Sequence, residues 1–224
     1  LLVSTWRSGS TYLAELLASH PGVFYHHEPL LLCQQDLRLV GRACRAFPVH
    51  LVKTLRLELA ATRWLLANTA RDVRVVWLYR DPRAVVHARA EHVDQCSGAC
   101  VDPRAICADL AADDSAATRL ARDFPSRFVA LRYEDLARLG LRYTDLTERF
   151  VHESAARGDD ATSGSSRSLG ATARAWLAEA RLAQVLRVQA ACSEVIRELR
   201  YRPLAPGDTT TDFEPCETDA KKYG

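Results

Sequence analysis

Methionine is absent from the sequence, and lysine occurs only at Lys53, Lys221 and Lys222. The first residue already lies inside an apolar, strand-like run. With no methionine before it, the chain reads as a piece of a longer one whose start is missing, and an upstream membrane anchor stays open. Within the 224 residues there is no run of eighteen apolar residues and no signal-like segment, which excludes a span inside this stretch. An excess of one charge is lacking too. The formal net charge is +2, which leaves no global electrostatic footprint for nucleic acid. Any acidic partner must be met by local arginines, which make up all but three of the thirty basic residues. A composition of 48% hydrophobic and 26% charged residues suits one soluble domain with a real core.

Paired metal-ligand spacings are also missing. Of the seven cysteines, Cys33, Cys44, Cys96, Cys100, Cys107, Cys192 and Cys216, only Cys96-x3-Cys100 is close, with no second close pair and no His-x3-His nearby. That disfavours zinc and favours an oxidising compartment, with at least one disulfide and the Cys96–Cys107 region contributing. An odd number leaves at least one thiol unpaired within a monomer.

What is present begins at "TWRSGSTYL". Leu1–Val3 read as the end of a buried strand, and Tyr12, Leu13, Leu16 and Leu17 recur at helical spacing, so Ser8–Thr11 sit where a strand turns into a helix. The first turn of a helix offers unpaired N–H groups and a positive dipole end, a default anion site. Gly9 permits close approach, the hydroxyls of Ser8, Ser10 and Thr11 can donate, and Arg7 adds a planar fork of donors. The alternative is an ordinary Ser or Thr helix cap; Arg, Gly and three hydroxyls together favour the anion.

Farther along, "HPGVFYHHEPLLL" reads as a turn and an extended segment. A helix is expected from about Val49 to Asn68, on the spacing of Val52, Leu55, Leu59 and Leu66. Val73–Leu78 form a β-branched run suited to a central parallel strand, closed by Arg80-Asp81-Pro82 and followed by a helix. Cys96–Pro103 read as a loop, Arg104–Phe124 as a helix, "RFVALRYEDL" as a short strand, and residues 155–168 as a polar, mobile loop. Helices over Ala171–Ala180 and Leu182–Arg200 precede an irregular tail. The domain is set at 1–203 and the tail at 204–224. Strands alternating with helices imply an α/β fold with a P-loop-like parallel sheet flanked by helices. Its carboxyl rim gathers Arg7–Thr11, Tyr79–Arg83 and Arg132–Asp135. A ligand with two separated anionic groups fits that rim. ATP is disfavoured, since the turn has neither a second glycine nor the P-loop lysine, and Asp81, flanked by arginines, makes a poor magnesium site.

These residues carry a resemblance. "TWRSGSTYL" resembles the 5'-phosphosulfate loop of the Golgi carbohydrate sulfotransferases, especially the galactose/N-acetylgalactosamine/N-acetylglucosamine 6-O-sulfotransferase family. "WLYRDPRAVVHARA" resembles that family's 3'-phosphate motif, and "EPL", "LRYEDLA" and "VQAAC" are similar to further family segments. The resemblance implies a single-domain sulfotransferase fold and the donor 3'-phosphoadenosine-5'-phosphosulfate (PAPS), with no metal. It also implies a glycan or proteoglycan acceptor, sulfated at O6 of GlcNAc, GalNAc or galactose, and a type II membrane protein with its catalytic domain in the Golgi lumen. Donor contacts are implied for Arg7, Ser8, Gly9, Ser10, Thr11, Tyr12 and Leu13. Further contacts are implied for Arg80, Asp81, Pro82, Arg83, Ala84, Val85, Val86, His87 and Ala88, with Tyr133 near the adenine.

Arg7 would steady charge on the leaving phosphate oxygen, and Arg80 would hold the 3'-phosphate unless it is spent on a salt bridge to Asp81. Glu28 is the candidate general base, with His26 and His27 as rivals; Glu134 and Asp135 are read as structural. The family motif carries serine where this chain has Ala88. Either Arg83 or Arg89 compensates for the lost hydroxyl, or the protein is a catalytically weak or inactive relative that binds PAPS or glycan. No nucleic-acid partner is expected, and membrane contact only through the missing anchor.

Overall fold

The computed structural model describes residues 1–28, 46–55, 57–94, 96–138, 169–210 and 213–216. Cys33, Cys44 and the polar stretch 155–168 lie outside them. The described elements are β1 (Leu2–Ser4), α1 (Ser10–Ala18), β2 (Val23–His27), β3 (Val49–Thr54), a 3-10 turn (Leu59–Ala61), α2 (Thr62–Asn68), β4 (Val75–Tyr79) and α3 (Pro82–His92). A second 3-10 turn (Gly98–Cys100) leads into α4 (Pro103–Asp123), β5 (Phe128–Arg132), α5 (Tyr133–Arg138), α6 (Leu169–Glu179), α7 (Leu182–Ala191) and α8 (Ser193–Glu198).

The strands form one sheet in the order β2-β3-β1-β4-β5, every pair parallel. The α/β architecture expected from the alternating pattern is therefore the one observed. From β1 the chain runs out to β2 and back to β3, then crosses to β4 and β5 on the other side of β1. The sheet order reverses at β1, the point outside whose carboxyl end open α/β sheets bind their ligands.

Alternation along the strands splits the core between the two faces. Val3, Val75, Trp77 and Tyr79 face Ile106, Leu110 and Leu120 of α4 and Val188 of α7. Leu2, Leu51 and Leu78 face Leu13, Ala14 and Leu16 of α1. Helices on both faces explain why β4 is almost uniformly apolar. Two helices start on the same device: the carboxylates of Asp81 and Asp102 accept from the backbone N–H of Arg83 (2.8 Å) and Arg104 (3.0 Å), with Pro82 and Pro103 in the first turn. Disulfides join Cys96 to Cys100 and Cys107 to Cys192, the second tying α4 to the end of α7 across 85 residues of chain. The expected disulfide from the Cys96–Cys107 region is thus present.

Three expectations are corrected. The helix from Val49 to Asn68 begins only at Thr62, because Val49–Thr54 is the strand inserted between β2 and β1. Pairing on both edges outweighed a helical spacing that Val52, Leu55 and Leu59 met by coincidence. The strand "RFVALRYEDL" stops at Arg132, and Tyr133 starts α5. The helix over Leu182–Arg200 is two, broken at Cys192, the disulfide partner of Cys107. Among the described residues no helix is long and apolar enough to cross a membrane.

One buried carboxylate makes stability depend on pH. Burial pushes the Asp113 carboxyl up to about 6, against hydrogen bonds from the Leu59 N–H (3.1 Å) and Trp77. A carboxyl raised in the folded state holds its proton where the unfolded chain has lost it, so stability falls as pH rises from about 4 to about 6. Denaturant titrations across that window should show a loss of about 1–2 kcal/mol, discounted for partial exposure. Asp113→Asn keeps the acceptor for Leu59 and should flatten the slope.

Candidate functional site

The turn after β1 places Arg7, Ser8 and Gly9 at the carboxyl end of the central strand. Gly9, at φ 84°, is the N-cap of α1, and no side chain caps that helix. The N–H groups of its first turn therefore keep their affinity for an anion, and the ordinary-cap alternative finds no hydrogen bond. A Cβ on Gly9 would overlap the Tyr133 ring, so glycine is required for its left-handed backbone and for this close approach. The Ser8 hydroxyl is fully buried and, among the described residues, has no hydrogen-bond partner. Ser10 is buried beside it, and Leu13 sits in the core with Tyr12 packed against the same cluster.

Arg80, at the end of β4, reaches the same place. Its guanidinium lies 4.7 Å from the centroid of the Tyr133 ring and donates to the Arg7 carbonyl at 3.1 Å. Arg7 is held below its ordinary pKa first by burial and then by the charge of Arg80, with Tyr133 opposing. Two guanidiniums thus converge on a turn rich in N–H groups. Such an arrangement stabilises a bound anion. The ion pair once considered between Arg80 and Asp81 goes instead to Arg83, whose fork grips Asp81 at 2.8–3.2 Å and whose Nη1 donates to Gln189 at 2.9 Å.

The rest of the Pro82–Ala88 motif is interior. Pro82 and His87 are buried, Ala84 packs with Trp176 and Leu177, and Val85 and Val86 belong to the main core. Ala88 is 7% exposed. Arg89 donates to Thr5 Oγ1 (2.8 Å), to the Trp6 carbonyl (3.2 and 3.3 Å) and to the Cys100 carbonyl (3.0 Å). Both arginines flanking Ala88 therefore have their donors engaged elsewhere. Glu134 accepts from the Asp81 N–H (3.1 Å) and the Tyr201 hydroxyl (2.9 Å), and Asp135 pairs with Arg132 at 2.7 and 2.9 Å, which fits the structural reading of both.

Glu28 follows β2 and joins this rim through a residue that the sequence reading passed over. Lys53 on β3 is 1% exposed and donates to Glu28 Oε1 and Thr11 Oγ1, each at 3.0 Å. It stands in register with Leu2, on the α1 face of the sheet, which is why it reaches the cradle from below. The signal was a lone lysine in an arginine-rich chain, set in the apolar run "VHLVKTL". Of the rival bases, His27 Nε2 lies 3.6 Å from Glu28 Oε1, while His26 hydrogen-bonds His50 at 3.2 Å. Arg7 (φ 68°), Glu28 (φ 45°) and Arg200 (φ 58°) are the non-glycine residues with positive φ among those described. Two of the three are the candidate catalytic residues, and strain of this kind concentrates at functional sites. A separate cleft, lined by Arg74, Arg127 and the amino ends of β4 and β5, lies at the opposite end of the sheet from these groups.

No family model matches the chain. It is 24% identical to human carbohydrate sulfotransferase 5, over 95% of this chain and 80% of that protein. It is likewise 24% identical to human carbohydrate sulfotransferase 6, over 93% of this chain and 82% of the relative. Carbohydrate sulfotransferase 4 of Mus musculus is 30% identical over 56% of this chain and 37% of its own length. A mouse sulfotransferase solved in complex with PAP overlaps 93% of this chain and 67% of its own at a TM-score of 0.40 and 13% identity, too loose a likeness to carry an argument. Several such relatives align with most of its length, so the chain is similar to the carbohydrate sulfotransferases.

Proposed function

We propose that this chain is the catalytic domain of a carbohydrate O-sulfotransferase that moves sulfate from PAPS to a glycan hydroxyl. The single observation that carries this is the anion cradle at the end of β1. There Arg7 and Arg80 converge on an uncapped helix start beside the buried, unpartnered Ser8 hydroxyl. The relatives' names supply the acceptor class. O6 of GlcNAc, GalNAc or galactose is the finer proposal, and residues 1–203 are the unit that performs the transfer, with 204–224 as its tail. The two disulfides support an oxidising compartment, taken here as the Golgi lumen, with membrane attachment through an upstream anchor.

PAPS supplies a sulfuryl group on a phosphate leaving group. The N–H groups of Ser10 and Thr11, the Ser8 hydroxyl and Arg7 hold the 5' side and stabilise charge as the leaving oxygen forms. Arg80 takes the 3'-phosphate, Tyr133 backs the loop, and the buried stretch Asp81–Ala88 fixes the position of Arg80. The transferring group carries less charge than a phosphoryl group, so positioned donors suffice without a metal clamp. Glu28 takes the proton of the acceptor hydroxyl. Lys53 holds Glu28 and Thr11 in one geometry, so that base and donor loop are set by the same ammonium. Incubation with labelled PAPS and a panel of desulfated glycans tests the proposal: transfer to a glycan is expected, and use of ATP with magnesium instead would overturn it.

A second reading, a weak or inactive PAPS- or glycan-binding relative, is favoured by one observation: Arg83 and Arg89, the neighbours that would compensate for Ala88, donate elsewhere. Ala88→Ser should tighten PAP binding by roughly ten- to a hundredfold, as for one hydrogen bond to a charged group. Calorimetry on the two forms checks it; equal affinity would mean that residue 88 does not face the 3'-phosphate.

Arg7→Gly should abolish transfer while stabilising the fold by about 1 kcal/mol, because glycine adopts φ 68° without the penalty that arginine carries there. Turnover and denaturant midpoint are measured on the same preparation, and retained turnover would remove Arg7 from the site. Glu28→Gln should cut turnover by about a hundredfold or more, the scale of general-base removal. It should also destabilise by about 2 kcal/mol, since it leaves the Lys53 ammonium buried without its counter-charge. Glu28→Gln with Lys53→Met then separates the two effects, recovering stability and not turnover. Recovery of turnover in the double variant would assign Glu28 to the ion pair alone.

A further inference from the structure

The sulfate-transfer reading leaves one cluster unused, on the outer flank of α3. His87 side-chain exposure is 5%, and among the described residues neither of its ring nitrogens has a hydrogen-bond partner. An imidazole buried in that way forfeits solvation on two polar atoms and calls for a compensating partner. Its Nε2 lies 3.6 Å from Oε2 of Glu179, the last residue of α6, and the same oxygen lies 3.9 Å from Nε2 of His92 at the end of α3. One ligand atom from each of the three falls within 4.8 Å of the others, the one such His/Cys/Asp/Glu triad among the described residues.

We infer that His87, His92 and Glu179 form a transition-metal site of the zinc class, joining α3 to α6. The separations exceed those of hydrogen bonds. Ligand atoms about 2.0–2.2 Å from a tetrahedral zinc stand about 3.3 Å apart, so small side-chain rotations close the set. Two imidazoles and one carboxylate suit zinc, copper or nickel and not the oxygen-seeking magnesium or calcium. Bound metal satisfies a His87 nitrogen and neutralises the carboxylate. It leaves a fourth position for water, and His92 and Glu179, at 48% and 45% side-chain exposure, give the ion a path from solvent. The cysteines near α3 do not compete, since Cys96, Cys100, Cys107 and Cys192 are in disulfides. The other histidine pair, His26 and His50, has its nitrogens on each other and, among the described residues, no third ligand in reach. The site is separate from sulfate transfer and needs no metal there; its effect is to lock α6 against α3.

Zinc chloride alone is the probe, added by calorimetric titration to chelator-treated protein kept free of reductant. One equivalent is expected to bind and to raise the melting temperature. His92→Ala and Glu179→Gln, half-exposed positions whose change opens no core, should each weaken binding at least ~10-fold and abolish the thermal shift. His50→Ala should change neither. The inference fails if no stoichiometric binding occurs, if both variants bind as the parent does, or if only His50→Ala loses the ion.

Discussion

At the turn from β4 into α3 two carboxylates and one guanidinium are buried together, and the geometry of the rim hangs from them. Asp81 takes the fork of Arg83 and caps α3, while its own N–H goes to Glu134, whose second oxygen accepts from Tyr201. Arg80 lies near as a second cation, yet its charge does not offset the effect of burial at Glu134. Burial first, and the charge of Asp81 next, push the Glu134 carboxyl up, and burial beside Glu134 pushes Tyr201 far up, so that its hydroxyl stays a donor. Such a network is weak evidence for net stability, because desolvation consumes most of the Coulombic gain. Its consequence is positional: Arg80 precedes Asp81, Tyr133 precedes Glu134, and fixing the second pair fixes the first. A cradle that stabilises developing charge has to be rigid before the charge arrives.

That rigidity extends to the loop. Tyr133 packs where a side chain on Gly9 would be, Arg80 bonds the Arg7 carbonyl, and Arg89 ties Thr5 and Trp6 to α3. The left-handed backbone of Arg7 persists because these contacts over-determine it.

Legibility in the sequence followed the range of the interactions. The helix start at Ser10, the capped start at Pro82 and the strand between Val75 and Tyr79 are written in adjacent residues and were readable as such. So was the rim that gathers Arg7 and Arg80, since open parallel sheets take their ligands outside the carboxyl ends of the strands. β3 was not legible: its apolar spacing fitted a helix, and only its position between β2 and β1 decides otherwise. Lys53 was hidden with it, because its partners lie 25 and 42 residues away and nothing local marks a buried ammonium. For the same reason Arg83 and Arg89 looked available to compensate for Ala88, until Asp81, Gln189, Thr5 and Cys100 claimed them.

The choice of lysine at position 53, in a chain that uses arginine almost everywhere else, follows from the space it fills. A guanidinium presents its donors in a plane and suits an open rim, where the oxygens of an anion can be met from one side. Between β3 and α1 the partners are Glu28 Oε1 and Thr11 Oγ1, on separate elements, and the position is closed to solvent. A compact ammonium with three rotatable donors reaches both at 3.0 Å, a task that a rigid planar fork suits less well. The rim thus carries two guanidiniums at the β1 turn and one compact ammonium turned toward Glu28 and Thr11. The last couples the candidate base to the donor loop, so a shift of β2 that moves Glu28 is felt at Thr11.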